Sequence, residues 1–137
     1  MKPYFQVGFV VPNLEAAMVE FGAGLGVELV GPQERDLGEW ILRIAFAQTP
    51  PPYVELIEGP PGSLWDATAG AHLHHLGYWS EDMEADSARL EAAGMGLELD
   101  LRYARYHRPA DGAGARVELI DAAHRTDFLA RWGLPDG

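Results

Sequence analysis

Cysteine is absent from the 137 residues, so disulfides and thiolate chemistry are excluded, and a reducing cytoplasmic setting fits. Basic residues are scarce: ten Lys and Arg stand against 21 Asp and Glu, a formal net charge of −11. Phosphate backbones need clustered cations, so nucleic acid is not an expected partner, and an anionic membrane surface is disfavoured. No apolar run approaches the 18 residues that would suggest a membrane-spanning helix, and Met1-Lys2-Pro3-Tyr4 does not open a signal peptide. What is plentiful is apolar side chain, 47% of the residues, with four Trp, five Tyr and five Phe. That composition gives a globular chain, and its length suits a single domain over residues 1–137.

The chain repeats itself. Phe5-Gln6-Val7-Gly8-Phe9-Val10-Val11 is echoed by His74-His75-Leu76-Gly77-Tyr78-Trp79, and each run leads into an acidic-capped helical pattern ending in glycines. Those patterns extend from Asn13 to Gly26 and from Ser80 to Gly96. Each copy closes on nearly the same strand, Tyr53-Val54-Glu55-Leu56-Ile57-Glu58 and Arg116-Val117-Glu118-Leu119-Ile120-Asp121. Both copies therefore read as βαβββ in an α+β fold, with module one at 4–58, a linker at 59–70, module two at 71–121 and a tail at 122–137. Each module, at about 65 residues, is too small to be trusted as an independent domain. Gly31-Pro32 predicts a turn, Gln33 to Gly38 a loop, Pro109-Ala110-Asp111-Gly112 a second turn, and Asp127 to Trp132 a short helix.

Two pairs of polar residues recur in register inside these apolar strands: Gln6 with His75, and Glu55 with Glu118. Strand alternation places Glu55 on a face with Tyr53 and Ile57, and His75 on a face with Leu73, Gly77 and Trp79. His74 then points to the opposite face. A lone Glu in such a strand ordinarily faces solvent. Two of them in equivalent places would meet near a pseudo-two-fold axis, where burial is costly unless they are paired or metal-bound. With Gln6 and His75 they make a set of O and N donors suited to a divalent cation, such as Zn, Ni, Co, Mn or Fe. Trp40, Phe46, Trp65, Trp79, Tyr103 and Tyr106 are candidates to line an apolar cleft or to fill the core.

On the strands around Gln6, His75, Glu55 and Glu118, the chain resembles the vicinal oxygen chelate superfamily. This group includes glyoxalase I, methylmalonyl-CoA epimerase, bleomycin-resistance proteins and extradiol dioxygenases. The resemblance implies two βαβββ modules curled into a glyoxalase/bleomycin-resistance-type open barrel, with metal ligands Gln6, Glu55, His75 and Glu118. It implies a lyase or isomerase that removes a proton next to a carbonyl through a metal-stabilised enediolate or enolate. Glu118 would be the base and Glu55 its symmetric partner. It further implies a small-molecule substrate and assembly as a homodimer. A non-catalytic binding protein of the bleomycin-resistance kind is the alternative. An extradiol dioxygenase would need a second histidine ligand, from His74 or His72.

Overall fold

The computed structural model describes residues 3–109 and 114–136. Eight strands form one sheet in the order β2-β3-β4-β1-β5-β8-β7-β6. Module one contributes β1 (Gln6–Val10), α1 (Leu14–Leu25), β2 (Leu29–Asp36), β3 (Ile41–Ala47) and β4 (Tyr53–Glu58). Module two contributes β5 (His72–Ser80), α2 (Met83–Ala92), β6 (Leu97–Asp100), β7 (Ala104–His107) and β8 (Arg116–Asp121). The tail forms a 3-10 turn, Ala122–His124, and α3 (Arg125–Trp132). The modules join within one chain, β1 pairing antiparallel with β5, while β1–β4 and β5–β8 are parallel. Among the described residues no helix is long and apolar enough to cross a membrane.

Local chemistry explains the helix ends. The Asn13 side chain accepts the amide N–H of Ala16, and Gly26 takes the left-handed conformation that closes α1. Leu14 and Ala17 then pack with Val11, Ala45 and Leu56 on the outer face of module one. Helix α2 is capped by Asp82 rather than Ser80, and is shorter than the Ser80–Gly96 pattern predicts. Ser80 instead donates to Asp86 at 2.6 Å.

The expected loop at 33–38 is strand for most of its length: β2 runs through Gly31-Pro32 to Asp36, with a register shift between Val30 and Gln33. Proline is tolerated there because β2 is the outermost strand and the proline sits in the irregularity. Gly31 permits it, since a Cβ at φ 124° would lie 2.7 Å from the carbonyl oxygen of Ile44. Beyond the shift, Gln33 and Arg35 turn inward while Glu34 and Asp36 face solvent. From Ala110 onward, the expected Pro109–Gly112 turn lies outside the described residues.

The larger core lies on the other side of the sheet, under α3. Phe5 stacks on Trp79 with centroids 3.9 Å apart, and Phe128 meets Phe5, Phe46 and Trp79 edge-on. Trp132 packs on Phe46 at 4.8 Å and is 6% exposed. The tail is tied down further by Gln48 Nε2 donating to the Gly133 carbonyl and the Tyr53 hydroxyl donating to that of Pro135. Helix α3 thereby roofs the curled sheet and leaves a cavity beneath it. Trp132→Ala should lower the unfolding free energy by about 3–5 kcal/mol in urea titration, as deletions of buried Trp do. A loss below about 1 kcal/mol would mean that α3 is not an integral part of the core.

Candidate metal centre and cavity

The four repeated polar residues lie one each on the four central strands: Gln6 on β1, Glu55 on β4, His75 on β5 and Glu118 on β8. Their side chains converge. Gln6 Nε2 stands 3.0 Å from Glu55 Oε1, 3.1 Å from Glu118 Oε1 and 2.8 Å from His75 Nε2. His75 Nε2 lies 3.1 Å from Glu55 Oε1 and 3.3 Å from Glu118 Oε1. None of the four residues is more than 7% exposed.

Two glycines make the convergence possible. Across the β1–β5 junction, Gly8 faces His75 and Gly77 faces Gln6, so each copy's glycine clears space for the other copy's donor. A Cβ on Gly8 would fall 2.2 Å from the His75 ring, and one on Gly77 would fall 3.0 Å from the Gln6 Cβ.

The pairing slips between Gly8 and Phe9, because Phe9 lies opposite Leu73 and leaves His74 as an extra residue. Such a bulge turns adjacent side chains out of strict alternation. His74 therefore does not point to the opposite face from His75, as the strand pattern predicts. Both are buried, with their Nδ1 atoms 2.9 Å apart, while Leu73 is 40% exposed.

The bulge builds a chain of fixed tautomers. His74 Nε2 lies 2.8 Å from the Leu64 carbonyl and must donate its proton there. Its Nδ1 is then the acceptor for His75 Nδ1–H, which turns His75 Nε2 toward the cluster, as an N–H when the ring is protonated and as a lone pair when it is neutral. With both nitrogens engaged, His74 is not free to act as a ligand. His72 is exposed and bonds to the Gly70 carbonyl. His107 is buried elsewhere, between Ser87 and the Met95 carbonyl. His75 is thus the one imidazole at the cluster among the described residues, and the two-histidine facial triad of a dioxygenase is not assembled.

The electrostatics show what the cluster needs. Burial raises the Glu55 carboxyl, against the lowering pull of His75. Burial alone would depress His75, but Glu118 and Glu55 outweigh it and lift its pKa to about 9. In metal-free protein a proton on His75 therefore partly offsets two facing carboxylates. A divalent ion between the two carboxylates would offset them more fully. Cis donors at metal distances of about 2.1 Å stand about 3.0 Å apart, close to the separations here. Gln6 also carries the mark of such a site: its buried Oε1 has no hydrogen-bond partner, while Nε2 is shared among three neighbours. A half-turn of that amide presents Oε1 to a cation. Two carboxylates, an amide oxygen and an imidazole nitrogen would together hold one divalent ion with charge balanced. All four come from one chain.

Above the cluster lies a cavity of about 420 Å³, reached by Gln6, Glu55 and Glu118. Leu42, Ile44, Ile57 and Ile120 give it apolar walls, and Trp65, Tyr103 and Tyr106 line it, as the sequence allows. Trp40, Phe46 and Trp79 do not. Trp40 packs edge-on to Trp65, and the other two belong to the core under α3. Burial first, and then the Glu118 and Glu55 carboxylates, push the Tyr106 phenol well above its ordinary range, so it remains an O–H donor. The sequence reading missed Arg35 and Arg131, which also line the cavity. The alternation of Gln33, Arg35 and Leu37 was the available signal for the first.

The histidine pair predicts a two-sided pH dependence in chelator. His74, depressed to about 3 by burial and by the charge of His75, stays neutral while the unfolded chain takes up a proton below about 6.5. Its contribution to stability is present above that pH and is lost as pH falls. His75, raised to about 9, contributes in the opposite sense, fully below about 6.5 and lost as pH rises through 9. Urea denaturation in EDTA should show greatest stability near pH 6.5, and His74→Phe should flatten the acid limb. An unchanged acid limb would show that His74 is not held neutral.

The model of the glyoxalase/bleomycin resistance protein/dioxygenase superfamily matches residues 5–111. The ethylmalonyl-CoA/methylmalonyl-CoA epimerase of Cereibacter sphaeroides is 38% identical over 95 residues, spanning 64% of this chain and 68% of that one. Among solved structures, a variant of Streptomyces coelicolor methylmalonyl-CoA epimerase in complex with 2-nitronate-propionyl-CoA superposes with a TM-score of 0.70. That match has 21% identity and covers 90% of this chain and 99% of the other. The methylmalonyl-CoA epimerase of Mycobacterium tuberculosis gives 0.66 at 21% identity, covering 91% of each chain. The solved structures share the curled eight-stranded fold.

Proposed function

The chain belongs to the glyoxalase/bleomycin resistance protein/dioxygenase superfamily, and on that premise we propose that it is a divalent-metal-dependent isomerase of the epimerase type. Its substrate would be an acyl thioester with an acidic C–H next to the carbonyl. The observation that carries this reading is the meeting of Glu55, Glu118, His75 and Gln6 at the floor of an apolar cavity. The relationship to the Cereibacter epimerase favours an acyl-CoA over a hemithioacetal.

A bound divalent ion supplies Lewis-acid polarisation of a substrate oxygen, lowering the cost of removing the neighbouring proton. Gln6, Glu55, His75 and Glu118 would hold it. The Leu64–His74–His75 chain keeps the correct imidazole nitrogen forward. Glu118 takes the proton on a carboxylate oxygen. Glu55, its counterpart in the other module, would enter the cycle as the carboxylic acid, which its burial favours, and give its proton to the other face of the carbon, inverting it, the two glutamates exchanging roles in the reverse direction. General-base catalysis of this kind contributes on the order of 10²–10⁴-fold. Tyr106, kept protonated, donates from the cavity wall toward developing negative charge. Leu42, Ile44 and Ile57 pack against the acyl portion.

Metal-loaded protein in D₂O should exchange the α-proton of a methylmalonyl thioester, followed by ¹H NMR. Glu118→Gln should slow exchange by at least about 10²-fold. Tight binding of the thioester without exchange by wild type would replace this reading with that of a non-catalytic binding protein.

A further inference from the structure

Two cations in the cavity have no role in holding a metal. Arg35, on the inward face of β2, is half-buried and donates to the Tyr103 hydroxyl, its guanidinium lying 4.7 Å from that ring's centroid. Arg131, on the last turn of α3, lines the same cavity. Neither guanidinium has a carboxylate partner among the described residues. The arginines that do ion-pair lie elsewhere: Arg43 with Glu15, Arg89 with Asp86, Arg105 with Glu84, Arg116 with Glu98 and Arg125 with Asp136. In a chain with net charge −11, a half-buried Arg35 without a carboxylate partner is costly unless something else neutralises it, and the exposed Arg131 at the cavity's rim sets a second unpaired cation beside it. Burial first, and then the like charge of Arg131, pull Arg35 below the usual guanidinium range, and the Glu118 and Glu55 charges across the cavity offset this only in part. Asp127 and His124 also face the cavity. Counting Arg35, Arg131 and Asp127, the wall remains net positive once Glu55 and Glu118 are committed to the cluster.

We propose that Arg35 and Arg131 form an anion site that seats a negatively charged group of the substrate while its reacting oxygens face the four-donor cluster. Tyr103 holds the Arg35 fork in place by stacking and by accepting its N–H. The two walls of the cavity, β2 and α3, thus each supply one cation, and the substrate anion bridges them. The inference rests on the proposed function for the identity of the reacting end. It extends that reading by making specificity depend on a charge, either a carboxylate on the acyl part or a phosphate of its carrier.

The test is ligand binding to metal-loaded protein, read by quenching of Trp65 and Trp132 fluorescence, and it needs no turnover. Methylmalonate, inorganic phosphate and neutral dimethyl methylmalonate are compared in wild type, Arg35→Gln, Arg131→Gln and Arg35→Lys. Each neutral variant should weaken binding of the favoured anion about ten- to hundredfold, with Arg35→Lys losing less and the diester unaffected. Arginine-dependent binding of phosphate but not methylmalonate would assign the site to the carrier. Equal anion affinity in wild type and both glutamine variants would overturn the proposal. If binding depends on the arginines but no proton exchange occurs, only the isomerase reading falls. If exchange occurs but binding ignores the arginines, only the anion site falls.

Discussion

Two carboxylates buried face to face set the terms for the rest of the structure. Placing Glu55 and Glu118 at the floor of a low-dielectric cavity is strongly unfavourable unless a positive charge lies between them. The fold meets that requirement by symmetry. The two modules meet along β1 and β5, and each sends a carboxylate strand to the outer flank of that pair. One donor from each of four adjacent strands then reaches one point, with Gly8 and Gly77 removing the side chains that would block it. The edge strand β2, free of this constraint, runs through the Gly31-Pro32 irregularity and brings Arg35 to the cavity.

The symmetry is broken at one residue, and usefully so. Gln6 and His75 occupy equivalent places, but only β5 carries a bulge. That extra residue, His74, ties the His75 ring to the Leu64 carbonyl in the linker between modules. The imidazole is thereby oriented by two successive hydrogen bonds, whereas the Gln6 amide keeps one buried atom unpartnered and is free to choose which end it presents. A rigid nitrogen donor and an adjustable oxygen donor suit a site that must hold an ion while part of its coordination goes to substrate.

Much of this was legible in the chain because it repeats. A strand such as Val54-Glu55-Leu56-Ile57 says little alone; its recurrence at Val117-Glu118-Leu119-Ile120 marks the glutamate as something other than a solvent-facing residue. The strands bearing the donors were accordingly readable to within a few residues. What stayed hidden lies where local rules give way to pairing. Gly31-Pro32 reads as a turn, yet at a sheet edge the strand continues through it and carries Arg35 into the cavity. His74 obeys alternation on paper and breaks it at a bulge that only the partner strand reveals. The role of α3 was also invisible, because its apolar face meets aromatics from both modules that are distant in sequence.

The central claim is that these four side chains hold one divalent ion. Crystals grown with manganese, measured above and below its absorption edge, test it directly. The account requires a single strong anomalous peak about 2.1–2.2 Å from a Gln6 oxygen, one oxygen each of Glu55 and Glu118, and His75 Nε2. A cluster still closed on itself, with the anomalous signal elsewhere or absent at saturating manganese, would contradict it.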